Sequence, residues 1–292
     1  MSLTSVKEYF TPGGNEEALE LLNKYGDAAL IVAGGSFVHG LEARNLLTGI
    51  EALIDIQDLG LNQVTLDSAG LSVGAMVTFA ELQEKSEIQD SAAFGAVRDA
   101  LNCPPVQIKN VATIGGNIAS ACPYFDLPTA FMALGAVVTA QGPAGSREIG
   151  LQEFFAGLFQ NTLEASEFVT GLFLPLLPAR SSSAFIKLET NANDLAIVNV
   201  AVRVTLDESG SCQEARVVIG GGVAETPVRA LASENLLQAE KLSDELMKRA
   251  GEAVQSDLQP MTDHRASAEY RSAMASTLTE RALQQAVARI SI

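Results

Sequence analysis

The stretch from Asn110 to Ala136, NVATIGGNIASACPYFDLPTAFMALGA, places two adjacent glycines inside an otherwise apolar run. Gly115 and Gly116 stand between Ile114 and Asn117, and a Cys, a Pro and an Asp follow before the next apolar run. Glycine adopts positive φ without steric penalty and leaves the backbone bare of side chains. The spacing therefore predicts a turn with exposed backbone N–H groups, which can approach phosphate oxygens closely.

A second loop of the same kind, AGGSF, runs from Ala33 to Phe37 and follows an apolar segment, as TIGGN at Thr113 to Asn117 does. Hydroxyl and amide side chains flank both loops, which favours an anion site. An ordinary turn or β-bulge also uses paired glycines, so a structural role stays open for each loop. Neither loop has the Gly-x-Gly-x-x-Gly or Gly-x-x-x-x-Gly-Lys-Ser/Thr spacing, which disfavours a Rossmann domain and a P-loop nucleotidase.

Length and charge limit the class of protein. The 292 residues are about twice the commonest domain size, which predicts two domains. The net charge of −16, from 19 Lys and Arg against 35 Asp and Glu, disfavours nucleic acid and anionic membranes as partners. No apolar run reaches the roughly 18 residues of a membrane span, and MSLTSVKEYF lacks the layout of a signal peptide. These features predict a cytoplasmic protein without membrane insertion.

The chain has few residues that could hold a metal. Cys103, Cys122 and Cys212 include no Cys-x-x-Cys pair, and the two histidines are His39 and His264. This spacing predicts no disulfide framework and neither an iron–sulfur nor a zinc site in this chain.

The order of predicted elements changes near Pro175 to Ser183, which holds two prolines and three serines. Before it, helical and strand-like segments alternate, including a helix from Asn15, a buried strand at 29–33 and a helix around 151–158. After it come three β-branched runs, and then helices near 229–238, 242–258 and 266–290. The second part therefore reads as α+β, with a sheet of about three antiparallel strands first and helices after.

Two charged residues have alternative roles on local pattern alone. Asp126 precedes Leu127 and Pro128, which is typical of a helix N-cap followed by proline in the first turn. It could instead accept a hydrogen bond from a ribityl or ribose hydroxyl. Lys187 lies in a predicted strand, where a lysine usually runs its aliphatic stem along the surface and keeps its ammonium in water.

Four stretches together resemble one known family, the flavin-binding medium subunit of the molybdenum hydroxylases, which include carbon monoxide, xanthine and nicotinate dehydrogenases. The stretches are AGGSF (33–37), PVQIKNVATIGGNIASACPYFDLPTAFMALGA (105–136), KLETNANDLAIVNVAV (187–202) and AEYRSAMASTLTERALQQA (268–286). They span nearly the whole chain, and the second is long and specific.

The resemblance implies an α+β protein with a two-subdomain FAD-binding fold of the vanillyl-alcohol oxidase type. That domain would cover residues 1–178, with subdomains of about 1–57 and 58–178. A C-terminal domain of a three-stranded antiparallel sheet plus helices would cover residues 181–292. FAD would lie extended between the two subdomains.

Carried over position by position, the resemblance implies a set of FAD-binding residues and no catalytic residue or metal ligand in this chain. The set is Ala33, Gly34, Gly35, Ser36, Phe37, Thr113, Ile114, Gly115, Gly116, Asn117, Asp126 and Lys187. The sequence departs from the family at Phe37, where many members have Asp or Ser, and at Lys109, where Arg is usual. Thr190 and Asn191 occupy positions that are often basic.

The implied task is electron transfer. A large subunit would hold molybdopterin, a small iron–sulfur subunit would hold two 2Fe–2S clusters, and the FAD of this chain would pass electrons to an acceptor such as NAD. Three cysteines cannot supply the eight thiolates of two clusters, which agrees with that division. Two alternatives stay open: a self-contained flavin oxidase of the same fold, and a noncatalytic assembly module whose glycine loops are structural.

Overall fold

The computed structural model describes residues 6–44, 47–191 and 194–290. The start of the segment inspected for a signal peptide, and Ala192 and Asn193 of the KLETNANDLAIVNVAV stretch, lie outside these ranges. Within them, strands form sheets of three, five and four strands and one two-stranded hairpin. No helix of the described ranges has the length and apolar character needed to cross a membrane.

The N-terminal part is a three-stranded parallel sheet with strand order β1-β3-β2. Its elements are β1 (Glu8–Phe10), α1 (Asn15–Tyr25), β2 (Ala29–Val32), α2 (Ser36–Glu42) and β3 (Ala52–Asp55). Helix α1 ends at Gly26, whose φ of 50° is accessible to glycine and breaks the helix as its position predicts. The first glycine loop joins β2 to α2, so it lies at the carboxyl end of a parallel strand.

The middle part is a five-stranded antiparallel sheet with order β4-β5-β10-β6-β7, and several helices pack on it. Its elements are β4 (Val64–Leu66), β5 (Gly70–Gly74), α3 (Phe79–Gln83), α4 (Ser86–Gln89), α5 (Gly95–Leu101), α6 (Val106–Lys109), α7 (Ile114–Ala119), α8 (Asp126–Leu134), β6 (Val137–Gly142), β7 (Gly145–Gly150), α9 (Leu151–Phe154), β8 (Phe155–Gly157), β9 (Gln160–Asn161) and β10 (Phe168–Pro175). The helix expected around 151–158 is thus only four residues long, because the backbone becomes extended at Phe155 and pairs in a hairpin.

The C-terminal part is a four-stranded antiparallel sheet followed by three α-helices. Its elements are β11 (Ser181–Leu188), β12 (Val198–Leu206), β13 (Cys212–Gly220), β14 (Val228–Arg229), α10 (Leu231–Leu237), α11 (Asp244–Ala253) and α12 (Ala268–Arg289). Three long strands agree with the sequence, and the two-residue β14 extends the sheet at its edge. A strand of two residues is too short to show an alternating pattern in the sequence.

Both faces of the C-terminal sheet are covered, which explains why the first eight of the nine residues of β12 are buried. One face of the sheet packs on α8 and belongs to the same hydrophobic core, and the other face packs on α12. All nine residues of α8 are buried. The amino end of α8, where Asp126 stands, is therefore held against strands of the C-terminal sheet.

Candidate functional site

The first glycine loop presents free backbone donors. Gly35 has a φ of 68° and precedes the first residue of α2. In the described part of the chain, the N–H groups of residues 34–38 donate to no protein acceptor. Consecutive unpaired N–H groups that are not fully buried form a concave donor surface for an anion. The expectation of exposed amides is met at this loop.

The two glycine loops meet in space at Gly34. A Cβ on this residue would overlap the carbonyl oxygen of Val111 and lie 2.7 Å from its carbonyl carbon. Val111 lies two residues before the second loop, so the absence of a side chain at Gly34 lets the first loop contact the segment that leads into the second. Sequence analysis predicts both loops, and the structure brings them together.

The second loop differs from the turn expected there. Gly115 and Gly116 are not among the residues with positive φ, and they lie in the first turn of α7. Thr113 caps that helix and accepts a hydrogen bond from the Gly116 N–H at 3.2 Å, while the Gly115 N–H donates to Ala75 O at 2.9 Å. The expectation of bare donors at these two glycines is therefore wrong, because the Thr113 side chain and the carbonyl of Ala75, just after β5, accept hydrogen bonds from both N–H groups.

Gly115 has a different physical role. A Cβ there would lie 2.5 Å from Cβ of Ala75, so the glycine allows α7 to pack closely on the segment after β5. Ile114 also faces inward, with 1% of its surface exposed, and its N–H donates to Val77 O at 2.9 Å. These residues hold the loop in place. The Thr113 hydroxyl is occupied by the helix cap, so Asn117 is the polar side chain of the loop that can bind a ligand.

Asn117 carries an unsatisfied polar atom. The residue is 9% exposed, and its side-chain oxygen Oδ1 has no hydrogen-bond partner in the described structure. A buried polar atom without a partner destabilises the fold unless a ligand or water satisfies it. This amide and the free N–H groups of residues 34–38 together fit a phosphate-bearing cofactor.

Asp126 is the first residue of α8, but it does not cap that helix. The N-cap position belongs to Phe125, and no side chain caps there. The carboxylate accepts hydrogen bonds from Lys187 Nζ at 3.0 Å and from Asn199 Nδ2 at 3.0 Å. The N-cap interpretation of Asp126 is therefore wrong, because the carboxylate turns toward the C-terminal sheet instead of the end of its own helix.

Lys187 is a buried partner of that carboxylate. Its side chain is 6% exposed, so the expectation of a surface lysine is wrong, and Glu189 Oε2 lies 2.9 Å from Nζ. Burial raises the pKa of Asp126 above its ordinary value, and the Lys187 ammonium opposes that rise. Burial by itself lowers the pKa of Lys187, but the Asp126 and Glu189 carboxylates outweigh it, and the pKa is raised. Lys187 is thus held in its charged form.

Sequence reasoning missed two residues of this cluster, Asn199 and Glu189. Asn199 is fully buried, donates to both Asp126 Oδ1 and Phe125 O, and accepts from Thr129 Oγ1 at 2.9 Å. A single amide inside the apolar run IVNVAV was a readable signal, because a buried polar side chain requires a partner. Glu189 gave no comparable signal.

The four positions that depart from the family pattern make ordinary packing, hydrogen-bond or solvent contacts. Phe37 packs against Phe125 and Phe159, with ring centroids 5.9 Å and 6.2 Å apart. Lys109 Nζ donates to Gln83 Oε1 at 3.1 Å. Thr190 and Asn191 are exposed.

The cluster is suited to binding and positioning. The charges of Asp126 and Lys187 neutralise each other in a buried ion pair, so neither side chain is a free acid or base. Burial raises the pKa of Cys122 to about 11, which keeps this nearby thiol neutral and unreactive at physiological pH. The arrangement offers donors for a phosphate, an unsatisfied amide and a buried carboxylate, which are the contacts that an extended nucleotide cofactor uses.

Comparisons with known proteins agree with this arrangement. Residues 4–177 match the family described as FAD binding domain in molybdopterin dehydrogenase, and residues 183–286 match CO dehydrogenase flavoprotein C-terminal domain. The chain is 34% identical to the 6-hydroxypseudooxynicotine dehydrogenase complex subunit alpha of Paenarthrobacter nicotinovorans, over 97% of this chain and 95% of that protein. It is 30% identical to the carbon monoxide dehydrogenase medium chain of Afipia carboxidovorans, over 97% of each chain.

A solved structure shows the same fold. A chain of the carbon monoxide dehydrogenase from Hydrogenophaga pseudoflava superposes with a TM-score of 0.92 at 29% identity. The match covers 98% of this chain and 99% of that one. The similarity therefore includes all three sheets.

Proposed function

The chain belongs to the FAD-binding medium subunits of the molybdenum hydroxylases, and we propose that it is the subunit through which electrons leave such a complex. It is an FAD-binding oxidoreductase subunit, and its relatives are subunits of multi-subunit dehydrogenases. In the proposal, a small subunit with 2Fe–2S clusters delivers electrons that a molybdopterin-bearing large subunit has taken from substrate. This chain then passes them to an acceptor such as NAD, within the cytoplasm.

The observation that carries the proposal is the set of free N–H groups at residues 34–38, packed beside the second glycine loop. We assign these amides to the FAD pyrophosphate, and Asn117 to a polar group of the same cofactor. The remaining residues carried over from the family complete the proposed site. We also retain residues 1–178 and 181–292 as the FAD-binding and C-terminal domains.

Bound FAD would supply the redox chemistry, because a flavin exchanges electrons singly or in pairs. The residues of this chain bind and orient it. The first loop donates hydrogen bonds without a charged side chain, which suits a protein with a net charge of −16. Lys187 favours the ionised form of Asp126, so that this buried carboxylate can accept from a cofactor hydroxyl.

An absorption spectrum and a purification from the native host test this assignment. We expect a flavin spectrum from this chain and co-purification with an iron–sulfur chain and a molybdenum-containing chain. Addition of NAD to the substrate-reduced complex should then reoxidise the flavin. Protein without flavin would support the assembly module, and flavin without partner chains would support the self-contained oxidase.

Replacing Asn117 by leucine separates binding from folding. The free energy of unfolding of the FAD-free protein should stay the same or rise, because the change removes an unsatisfied buried oxygen. FAD affinity should fall about tenfold or more, since a hydrogen bond between cofactor and protein is lost. Titration calorimetry and urea unfolding measure the two effects.

The matched control is Asn23→Ala on the exposed side of α1. It should leave FAD affinity unchanged and raise the free energy of unfolding by no more than about 0.7 kcal/mol, because alanine has a higher helix propensity than asparagine. Equal FAD affinity of the Asn117→Leu variant and the wild type would remove Asn117 from the proposed site.

A further inference from the structure

Three phenylalanine rings from distant parts of the chain meet at the first glycine loop. Phe37 belongs to the loop, Phe125 precedes α8, and Phe159 lies in the turn between β8 and β9. Phe37 meets Phe125 edge to face, with centroids 5.9 Å apart, and stacks on Phe159 at 6.2 Å. Both arrangements are the favourable ones for aromatic pairs. The rings form an apolar wall beside the free N–H groups of residues 34–38.

The β8–β9 hairpin links the two glycine loops. Asn161 Nδ2 donates to Ala119 O at 2.8 Å, and the Phe159 N–H donates to Ala121 O at 3.2 Å. Ala119 ends α7, the helix that the second glycine loop begins. The hairpin is therefore anchored to the second loop through α7, while its Phe159 ring reaches the first loop.

The backbone is strained where this link is made. Non-glycine residues with positive φ in the described part of the chain are Ala121, Phe159, Arg180 and Ala239. Two of them, Phe159 at 56° and Ala121 at 44°, are the donor and acceptor of one hydrogen bond. An aromatic residue in this region is unusual, and such outliers concentrate at binding sites. The Phe159 residue is also 49% exposed, so burial in the core does not explain its conformation.

We propose that Phe159 is a positioning residue that closes the cofactor cleft over the phosphate-binding loop and slows the release of FAD. This inference rests on the proposed function. The paired rings of Phe37 and Phe159 exclude water and ions from one side of the donors. Hydrogen bonds to a phosphate are stronger in such a low-dielectric site, and salt screens them less. Without the Phe159 ring, the same bonds would face solvent.

The test compares Phe159→Ala with Leu158→Ala in the full chain loaded with FAD. Leu158 is the neighbouring turn residue and is 39% exposed, which makes it a matched control. We expect Phe159→Ala to release FAD about tenfold faster, as the recovery of flavin fluorescence reports. Its release rate should also rise more steeply with NaCl concentration than that of the wild type, which a purely structural defect would not cause. Leu158→Ala should match the wild type in both.

The Phe159→Gly variant tests whether faster FAD release could come from a folding defect. Glycine adopts positive φ without strain, so this variant should unfold at the same urea concentration as the wild type or a higher one. It should still release FAD about as fast as Phe159→Ala. Wild-type release rates and salt dependence in both Phe159 variants would overturn the inference. A wild-type chain that takes up no FAD would overturn the proposed function, and this inference with it.

Discussion

Replacing Lys187 by methionine should lower the free energy of unfolding by about 3 kcal/mol, because it removes one partner of a buried ion pair. The Lys187 and Asp126 side chains are 6% and 9% exposed, so water cannot replace the lost ammonium. Methionine retains most of the volume of the lysine side chain. The loss of unfolding free energy therefore reflects the missing charge more than a change in packing. Urea unfolding of the FAD-free protein measures it.

A double variant identifies the cause. Asp126→Asn in the Lys187→Met background removes the unpaired charge and keeps an acceptor for Asn199, so it should recover most of the lost stability. Lys248→Met, on the exposed face of α11, should change the free energy of unfolding by less than about 0.5 kcal/mol. If the double variant is no more stable than Lys187→Met, packing explains the loss and the ion pair does not.

The same variant has a defined pH dependence. Without the ammonium, only the hydrogen bond from Asn199 opposes the burial that raises the pKa of Asp126, and in the folded state that pKa rises further. A raised carboxyl pKa contributes stability that is present below the unfolded value, about 3.9, and is lost as the pH rises through the folded value. The deficit of Lys187→Met relative to the wild type should therefore shrink as the pH is lowered toward that range.

The ion pair also shows what local sequence patterns can predict. Asp126 and Lys187 are 61 positions apart, and their contact depends on the packing of α8 against β11 and β12 of the C-terminal sheet. Local pattern supports an N-cap at Asp126 and a surface lysine at 187, and both interpretations fail for that reason. The resemblance to the family singled out both residues but did not show that they pair with each other.

Elements with long, regular patterns were predictable, and short ones were not. The stop of α1 at Gly26 and the long strands β11, β12 and β13 follow from glycine placement and β-branched runs. The start of α7 at Thr113 is marked by a Thr N-cap, yet the two glycines after it suggested a turn. Helix formation there depends on the contact of Gly115 with Ala75, which stands 40 residues earlier in the chain. The Phe159 turn gave no local signal.

Replacing Gly34 by alanine should abolish measurable FAD binding, with affinity reduced by about 100-fold or more and the free energy of unfolding lowered by about 2 kcal/mol. The added methyl group overlaps the Val111 carbonyl. That carbonyl is backbone and cannot rotate away as a side chain could, so the two glycine loops must separate. Separation displaces the free N–H groups of residues 34–38 relative to Asn117. Flavin content after purification and urea unfolding measure the two effects.

Two neighbouring glycines distinguish this steric effect from a general effect of alanine. Gly40 lies within α2, where a Cβ would meet only Arg44 Nη1 at 3.5 Å, so Gly40→Ala should keep FAD and gain up to about 1 kcal/mol of helix stability. Gly35 has open space but a φ of 68°, so Gly35→Ala should lose about 1 kcal/mol through backbone strain alone. If Gly34→Ala binds FAD as Gly40→Ala does, the contact between the loops is not what builds the site. If it binds far more weakly than Gly35→Ala, close approach of the loops is required in addition to glycine's conformational freedom.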